Sequence, residues 1–287
     1  MSYRRRSSSL HAARAGAGCL YCLALALAAL ALSNPIALGA TTLAIALAGV
    51  AAGVGRELRR AALFALPLGV TIAVINALVT RDGLTVIVRL GQLPVLGHTD
   101  ITLEATAYGA VLGLRAVALI LCGALYTAAV DPDEMLKLFR RFSFRSALTA
   151  TLATRMVPVL TRDARRLADA QRCRPGRPPT RVQLMRVATT GMLDRALDVA
   201  AALEVRGYGV ARRPPRTRRP YSLHDFEFAA SAAAIATLAL CARVLNLAPL
   251  KAYPSLHVGT GAGTLGLAAA LVAVALLPFA DRRGIER

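Results

Sequence analysis

Two short segments of the sequence combine a small residue, an arginine and a residue that ends a helix. They are Cys173-Arg174-Pro175 and Val205-Arg206-Gly207, and their arginines stand 32 positions apart. An arginine at a helix end projects a rigid fork of five N–H donors, which suits carboxylates lining a groove on another protein. The pattern predicts two docking tips, supported by Gln171 and Glu204 in the preceding helical turns. Arginine and glycine are also common at ordinary helix ends, so it is the repetition that favours docking.

A separate candidate for chemistry is Pro254-Ser255-Leu256-His257, which resembles the Pro-Ser-x-His piece of lipid phosphatases. In that class a histidine serves as general acid, and the reaction also needs a nucleophile. The sequence supplies none of the accompanying motifs, so we predict no catalytic residues. It also has no GxxxxGK[ST] loop and only two lysines, Lys137 and Lys251, so ATP hydrolysis by a P-loop mechanism is excluded.

The cysteines do not form a metal-binding pattern. Cys19 and Cys22 have CxxC spacing, but the sequence offers no second pair. Four of the five cysteines lie in apolar segments, where a thiol behaves as a small hydrophobe. We therefore predict neither a metal site nor a cofactor.

The residues of these candidate motifs must be positioned by the long apolar segments of the sequence. More than half of the residues in the chain are apolar, and the mean hydropathy is +0.52. A bilayer core of ~30 Å needs ~20 apolar residues in a helix. Six segments reach or approach that length: 12–32, 36–54, 61–80, 105–129, 228–247 and 261–280. The predicted fold class is all-α: a polytopic membrane protein of about six transmembrane helices, with a cytoplasmic helical coupling segment between helices 4 and 5.

The net charge of +19 is explained by topology. Residues 131–227 hold 20 of the 35 Lys and Arg but only 10 of the 16 acids, and most other basic residues sit in short clusters. If these clusters are cytoplasmic, the chain crosses the membrane six times, and the opposite loops receive only Arg81, Arg89 and Lys251. This is the positive-inside pattern. It predicts a cell-membrane protein with both termini cytoplasmic, and it disfavours nucleic-acid binding.

The charge and hydropathy patterns divide the chain into three predicted parts. Residues 1–130 form an N-terminal membrane domain with four transmembrane helices, 131–226 form cytoplasmic coupling helices, and 227–287 form the C-terminal membrane helices. The first apolar segment has a basic start and could alternatively be a cleavable signal peptide, although its length favours a retained helix.

Within this frame, Arg115 falls about ten residues inside the fourth apolar segment, where a charge is expensive. It either pairs with a carbonyl or with Asn76 inside the bundle, or it faces a partner. The coupling segment opens at Asp131, which is followed by Pro132 as a helix start. Two longer helices are predicted after it, over 146–172 and 184–206.

The two arginine triplets resemble the paired Ala-Arg-Gly triplets of the transmembrane (T) component of energy-coupling factor (ECF) importers, the EcfT/CbiQ-like family. Ile101-Thr102-Leu103-Glu104 with Gly109 and Arg115, and the run 131–139, are also similar to that family. The second triplet keeps Arg and Gly. The first departs more, because Pro175 ends the helix without the left-handed freedom of glycine.

The resemblance implies that each triplet docks on one of two ABC-type ATPase subunits. It also implies a small substrate-binding membrane subunit that captures a vitamin or a metal ion, with this chain as the link between them. A conventional ABC permease would also couple to ATPases, but through its own substrate path and usually one coupling loop. A membrane enzyme of the lipid-phosphatase type and a scaffold without transport activity are the remaining alternatives.

Overall fold

The structure is a computed structural model that describes residues 6, 8–80, 85–93, 97–139, 144–173, 180–207, 222–251 and 257–280. The chain forms two compact units. The first consists of Met1–Met135 with Pro220–Arg287, and the second of Leu136–Arg219. The division into three functional parts at residues 130 and 226 stays a prediction.

The helices follow the apolar segments of the sequence. Among the helices of the described residues, four are long and apolar enough to cross a membrane, and two more, α2 and α3, are apolar helices of 17 residues each. The predicted class, an all-α polytopic membrane protein, is confirmed. The helices are α1 (Ser9–Ala12), α2 (Ala15–Ala31), α3 (Pro35–Ala51), α4 (Gly55–Val79), α5 (Leu103–Ala129), α6 (Pro132–Phe139), α7 (Phe144–Arg172), α8 (Arg181–Val205), α9 (Leu223–Val244) and α10 (Ala262–Leu276), the last followed by a 3₁₀ turn (Leu277–Phe279).

Two short antiparallel hairpins accompany the helices. Strands β1 (Val86–Leu93) and β2 (Gly97–Thr102) form the larger one, and β3 (Leu250–Lys251) and β4 (His257–Val258) the smaller. The β-branched run that opens β1 favours a strand, and pairing with β2 supplies its backbone hydrogen bonds. The larger hairpin is joined to α5 by Glu104. This side chain is 2% exposed, and its carboxylate accepts hydrogen bonds from the Thr85 hydroxyl (2.9 Å) and backbone N–H (3.3 Å).

Helices α4 and α5 approach each other through glycines. A Cβ atom placed on Gly113 would lie 2.3 Å from the carbonyl oxygen of Gly69, and one on Gly109 would lie 2.7 Å from that of Ala73. Gly109 and Gly113 are four residues apart and share one face of α5. This is the small-residue spacing that lets membrane helices bring their backbones together.

The core of the first unit also contains an aromatic cluster. The ring of Phe228 on α9 meets the rings of Tyr21 on α2 and Phe279 edge-on, with centroid distances of 5.3 Å in both cases. The Tyr21 hydroxyl donates to the Ala275 carbonyl at 2.8 Å, which satisfies its polar end in an apolar setting. Helix α2 is therefore fixed to both α9 and α10.

Candidate coupling site

The second predicted tip lies at the end of α8. Val205 is the last residue of that helix and is 89% exposed, and the side chain of Arg206 is also exposed. Gly207 follows at φ +74°, a left-handed conformation that glycine adopts without strain. Its N–H donates to the Glu204 carbonyl at 2.8 Å, which closes the final turn. The helix ends one residue before the predicted 206, and Arg206 stands just beyond it.

The first predicted tip follows α7, which ends at Arg172 as the sequence indicated. Gln171 lies in its last turn. Cys173 is exposed, and its N–H donates to the Asp169 carbonyl at 3.2 Å, so the helical hydrogen bonding continues to this residue. Arg174 and Pro175 lie outside the described residues.

Helices α7 and α8 meet at an ion pair between Asp163 and Arg195. These two residues are themselves 32 positions apart, the same interval that separates Arg174 from Arg206. Each arginine of the triplets thus follows one member of the ion pair by eleven residues in the sequence. The ion pair therefore joins residues that stand at the same sequence interval before the two triplets. The interval of 32 residues between the two triplets was evident from the sequence, but the ion pair between two residues at that same interval was not predicted.

The start of α8 also differs from the prediction. Thr180 caps the helix, and it forms a reciprocal capping box with Gln183. This box places the first helical residue at Arg181, three residues before the predicted 184. The Thr-x-x-Gln pattern is a recognised helix start, and it was present in the sequence.

Arg115 lies near the middle of α5, and its contacts are within the first unit. Its Nη2 donates to the Leu32 carbonyl at 3.0 Å and to the Ser33 hydroxyl at 3.4 Å. The Leu32 carbonyl follows the last turn of α2, where helical carbonyls lack intrahelical partners. Of the alternatives for Arg115, the structure thus shows pairing with a carbonyl.

Within the residues that the structure describes, the remaining candidates do not form an assembled site. His257 lies in β4, next to the segment that contains the rest of the Pro-Ser-Leu-His motif, which is outside the described residues. Within the described parts of the chain, no group of three or more His, Cys, Asp or Glu side chains is placed to hold a metal ion.

The first unit contains long apolar helices, and the basic helices α7 and α8 lie in the sequence between α5 and α9. This arrangement defines a multi-pass α-helical membrane protein. The family model described as CbiQ, cobalt transport protein, matches residues 6–216. Because this match covers most of the chain, the protein belongs to the CbiQ cobalt transport family and is a transport component of the cobalt/ECF type. No curated protein matches the sequence.

Proposed function

We propose that this chain is the transmembrane coupling subunit of an ECF-type importer, which transmits ATP-driven motion from two ATPase subunits to a substrate-capture membrane subunit. The observation that carries the proposal is the pair of arginine triplets, in which each arginine follows one member of the Asp163–Arg195 ion pair by eleven residues in the sequence. In this proposal Cys173-Arg174-Pro175 and Val205-Arg206-Gly207 each dock on one ATPase. Gln171 and Glu204 support them on the coupling helices.

The surface of α8 supports docking on another protein. Large apolar side chains along this helix are more than half exposed: Val182, Met185, Leu193, Leu197 and Val205. Leu193 and Leu197 are about one helical turn apart, and exposed apolar surface of this kind is typical of interaction sites. Apolar contacts along α8, with Arg206 at its tip, would provide both the area and the orientation that a docking site needs.

Energy and substrate must come from other subunits in this proposal. The chain has no P-loop, so the ATPases supply ATP hydrolysis. The captured vitamin or metal ion is bound by the separate small membrane subunit. We place the protein in the cell membrane with both termini and residues 131–226 on the cytoplasmic side, because the basic residues concentrate there.

The partners can be tested by gentle-detergent purification of the tagged chain from its native membranes, followed by mass spectrometry. We expect two P-loop ATPases and one small polytopic protein, and the ligand of that small protein identifies the substrate. Recovery of the chain alone in several detergents would contradict the coupling role and return attention to a stand-alone membrane protein.

The orientation can be tested with a native cysteine. Cys173 is exposed in the second unit, whereas Cys22 and Cys122 are buried. In inverted vesicles from cells that lack the ATPases, which would otherwise cover Cys173, a membrane-impermeant maleimide should therefore label this thiol, and in intact cells it should leave it unlabelled. The Cys173→Ser variant gives the background from the other cysteines. Labelling of Cys173 from the outside would reverse the proposed topology.

A further inference from the structure

Helix α2 begins without a cap of its own. Arg14 occupies the N-cap position but its side chain makes no capping hydrogen bond, and the first turn contains no acidic residue. The first N–H groups of a helix have no partner within the helix and must find acceptors elsewhere. In α2 these acceptors come from distant parts of the sequence.

Two carboxylates from other helices cap α2. Glu134 on α6 accepts the Ala15 N–H at 3.1 Å through Oε2. Asp225 on α9 accepts the Arg14 N–H at 2.6 Å through Oδ1, and its Oδ2 lies 3.4 Å from the Arg14 Nε. Asp225 is buried, and Oδ2 also accepts the Ser222 N–H at 2.9 Å, so this carboxylate is held in place from several directions. Both negative charges face the positive end of the α2 dipole.

These two carboxylates stand where the chain leaves and re-enters the first unit. Glu134 is the next-to-last residue before the second unit begins at Leu136, and Asp225 lies six residues after that unit ends at Arg219. Residues on both sides of the second unit in the chain are thus hydrogen-bonded to one point, the start of α2. We call the contacts of Arg14 and Ala15 with Glu134 and Asp225 the α2 clamp.

We propose that the α2 clamp positions α2 to receive the motion of the coupling helices, an inference that rests on the proposed function. The second unit is joined covalently to the chain on either side of it, so a displacement of α7 and α8 pulls on Glu134 and Asp225 along the chain. Because both residues are hydrogen-bonded to the start of α2, the displacement moves this helix as well as α6 and α9. Helix α2 transmits the displacement to α10 through the hydrogen bond from the Tyr21 hydroxyl, and to α9 through the contact between the rings of Tyr21 and Phe228.

The contact itself is tested by hydrogen exchange of the full chain in nanodiscs. In the Glu134→Gln/Asp225→Asn double variant, the amides of the first turn of α2 should exchange about tenfold faster or more, as expected when charge-assisted hydrogen bonds are weakened. The matched control is Glu57→Gln, because Glu57 is a first-turn carboxylate that pairs with Arg6 at 2.5 Å instead. Unchanged exchange at α2 in the double variant would overturn the clamp. The single Glu134→Gln variant, with a smaller expected change, serves if the double variant does not fold.

The positioning role is tested in the complex with its ATPases, by comparing exchange with ADP and with ATP. In the wild type, ATP should alter exchange in α7, α8 and the first turn of α2. In the double variant, ATP hydrolysis and the change in α7 and α8 should persist while the change in α2 falls several-fold, which a merely stabilising contact would not produce. A wild-type-sized change at α2 in the variant would overturn the proposal. Absence of any ATP-dependent change in wild-type α7 and α8 would instead refute the proposed function and the transmitting role with it.

Discussion

The Arg174→Glu/Arg206→Glu double variant is expected to lose its ATPase subunits on purification and to lose ATP-driven uptake. Each reversal replaces a guanidinium fork by a carboxylate that repels the acidic groove we propose on the ATPase. Removing one partner of a docked charge pair costs about 2–5 kcal/mol, and a reversal should cost at least as much. The Arg206→Glu change alone should weaken docking strongly, and Arg174→Glu to a smaller or similar degree.

The control for this prediction is Arg155→Glu. Arg155 is an exposed arginine of α7 that lies 19 residues before Arg174 in the sequence and outside the apolar surface of α8. Its reversal makes the same change in net charge as Arg206→Glu alone and should leave ATPase recovery near the wild-type level. Normal assembly and normal uptake in the double tip variant would contradict docking through the two triplets. A loss in Arg155→Glu equal to that in Arg206→Glu would indicate a general charge effect instead.

Gly113→Ala is expected to destabilise the membrane unit, even though alanine is the better helix former. The new methyl group would lie 2.3 Å from the Gly69 carbonyl oxygen and 3.0 Å from its carbonyl carbon, and backbone atoms cannot rotate away as a side chain can. Helices α4 and α5 would have to separate. Such overpacking costs about 1–3 kcal/mol or more, which exceeds the gain in helix propensity of ~1 kcal/mol.

The same substitution at Gly123 provides a control of opposite sign. Gly123 is also in α5, and a Cβ atom there would meet nothing within 4 Å. Gly123→Ala should therefore leave the thermal unfolding temperature unchanged or raise it, while Gly113→Ala lowers it. Equal unfolding temperatures for the two variants would show that the glycine contact between α4 and α5 is not required for stability.

The helices could be predicted because the bilayer imposes a strong rule on composition. Apolar segments of about 20 residues form spanning helices whatever their neighbours, so all six segments correspond to helices in the structure. The larger hairpin was not predicted. A short apolar run such as 84–90 does not distinguish a strand from other buried structure.

The candidate site was predictable only where it is local in sequence. The end of α8 at Arg206 and Gly207 follows from helix-stop chemistry, and it was found. The Asp163–Arg195 ion pair and the caps from Glu134 and Asp225 join different helices, so they depend on how the helices are arranged. Arg115 was predictable in part. Its position about ten residues inside an apolar segment indicated that its charge needs a partner, but only the structure shows that this partner is the Leu32 carbonyl rather than Asn76.

The length of α2 and α3 has a consequence for the surrounding lipid. At 17 residues each they span about 25 Å, several ångströms less than the ~30 Å hydrocarbon core. In α2 this length is bounded by Arg14 before its first residue and by the Arg115 guanidinium beyond its last. Both helices also present leucines outward, among them Leu23 and Leu43. The bilayer should therefore thin beside them at a cost of a fraction of a kcal/mol per Å, and membranes of shorter acyl chains should accommodate α2 and α3 with the least distortion.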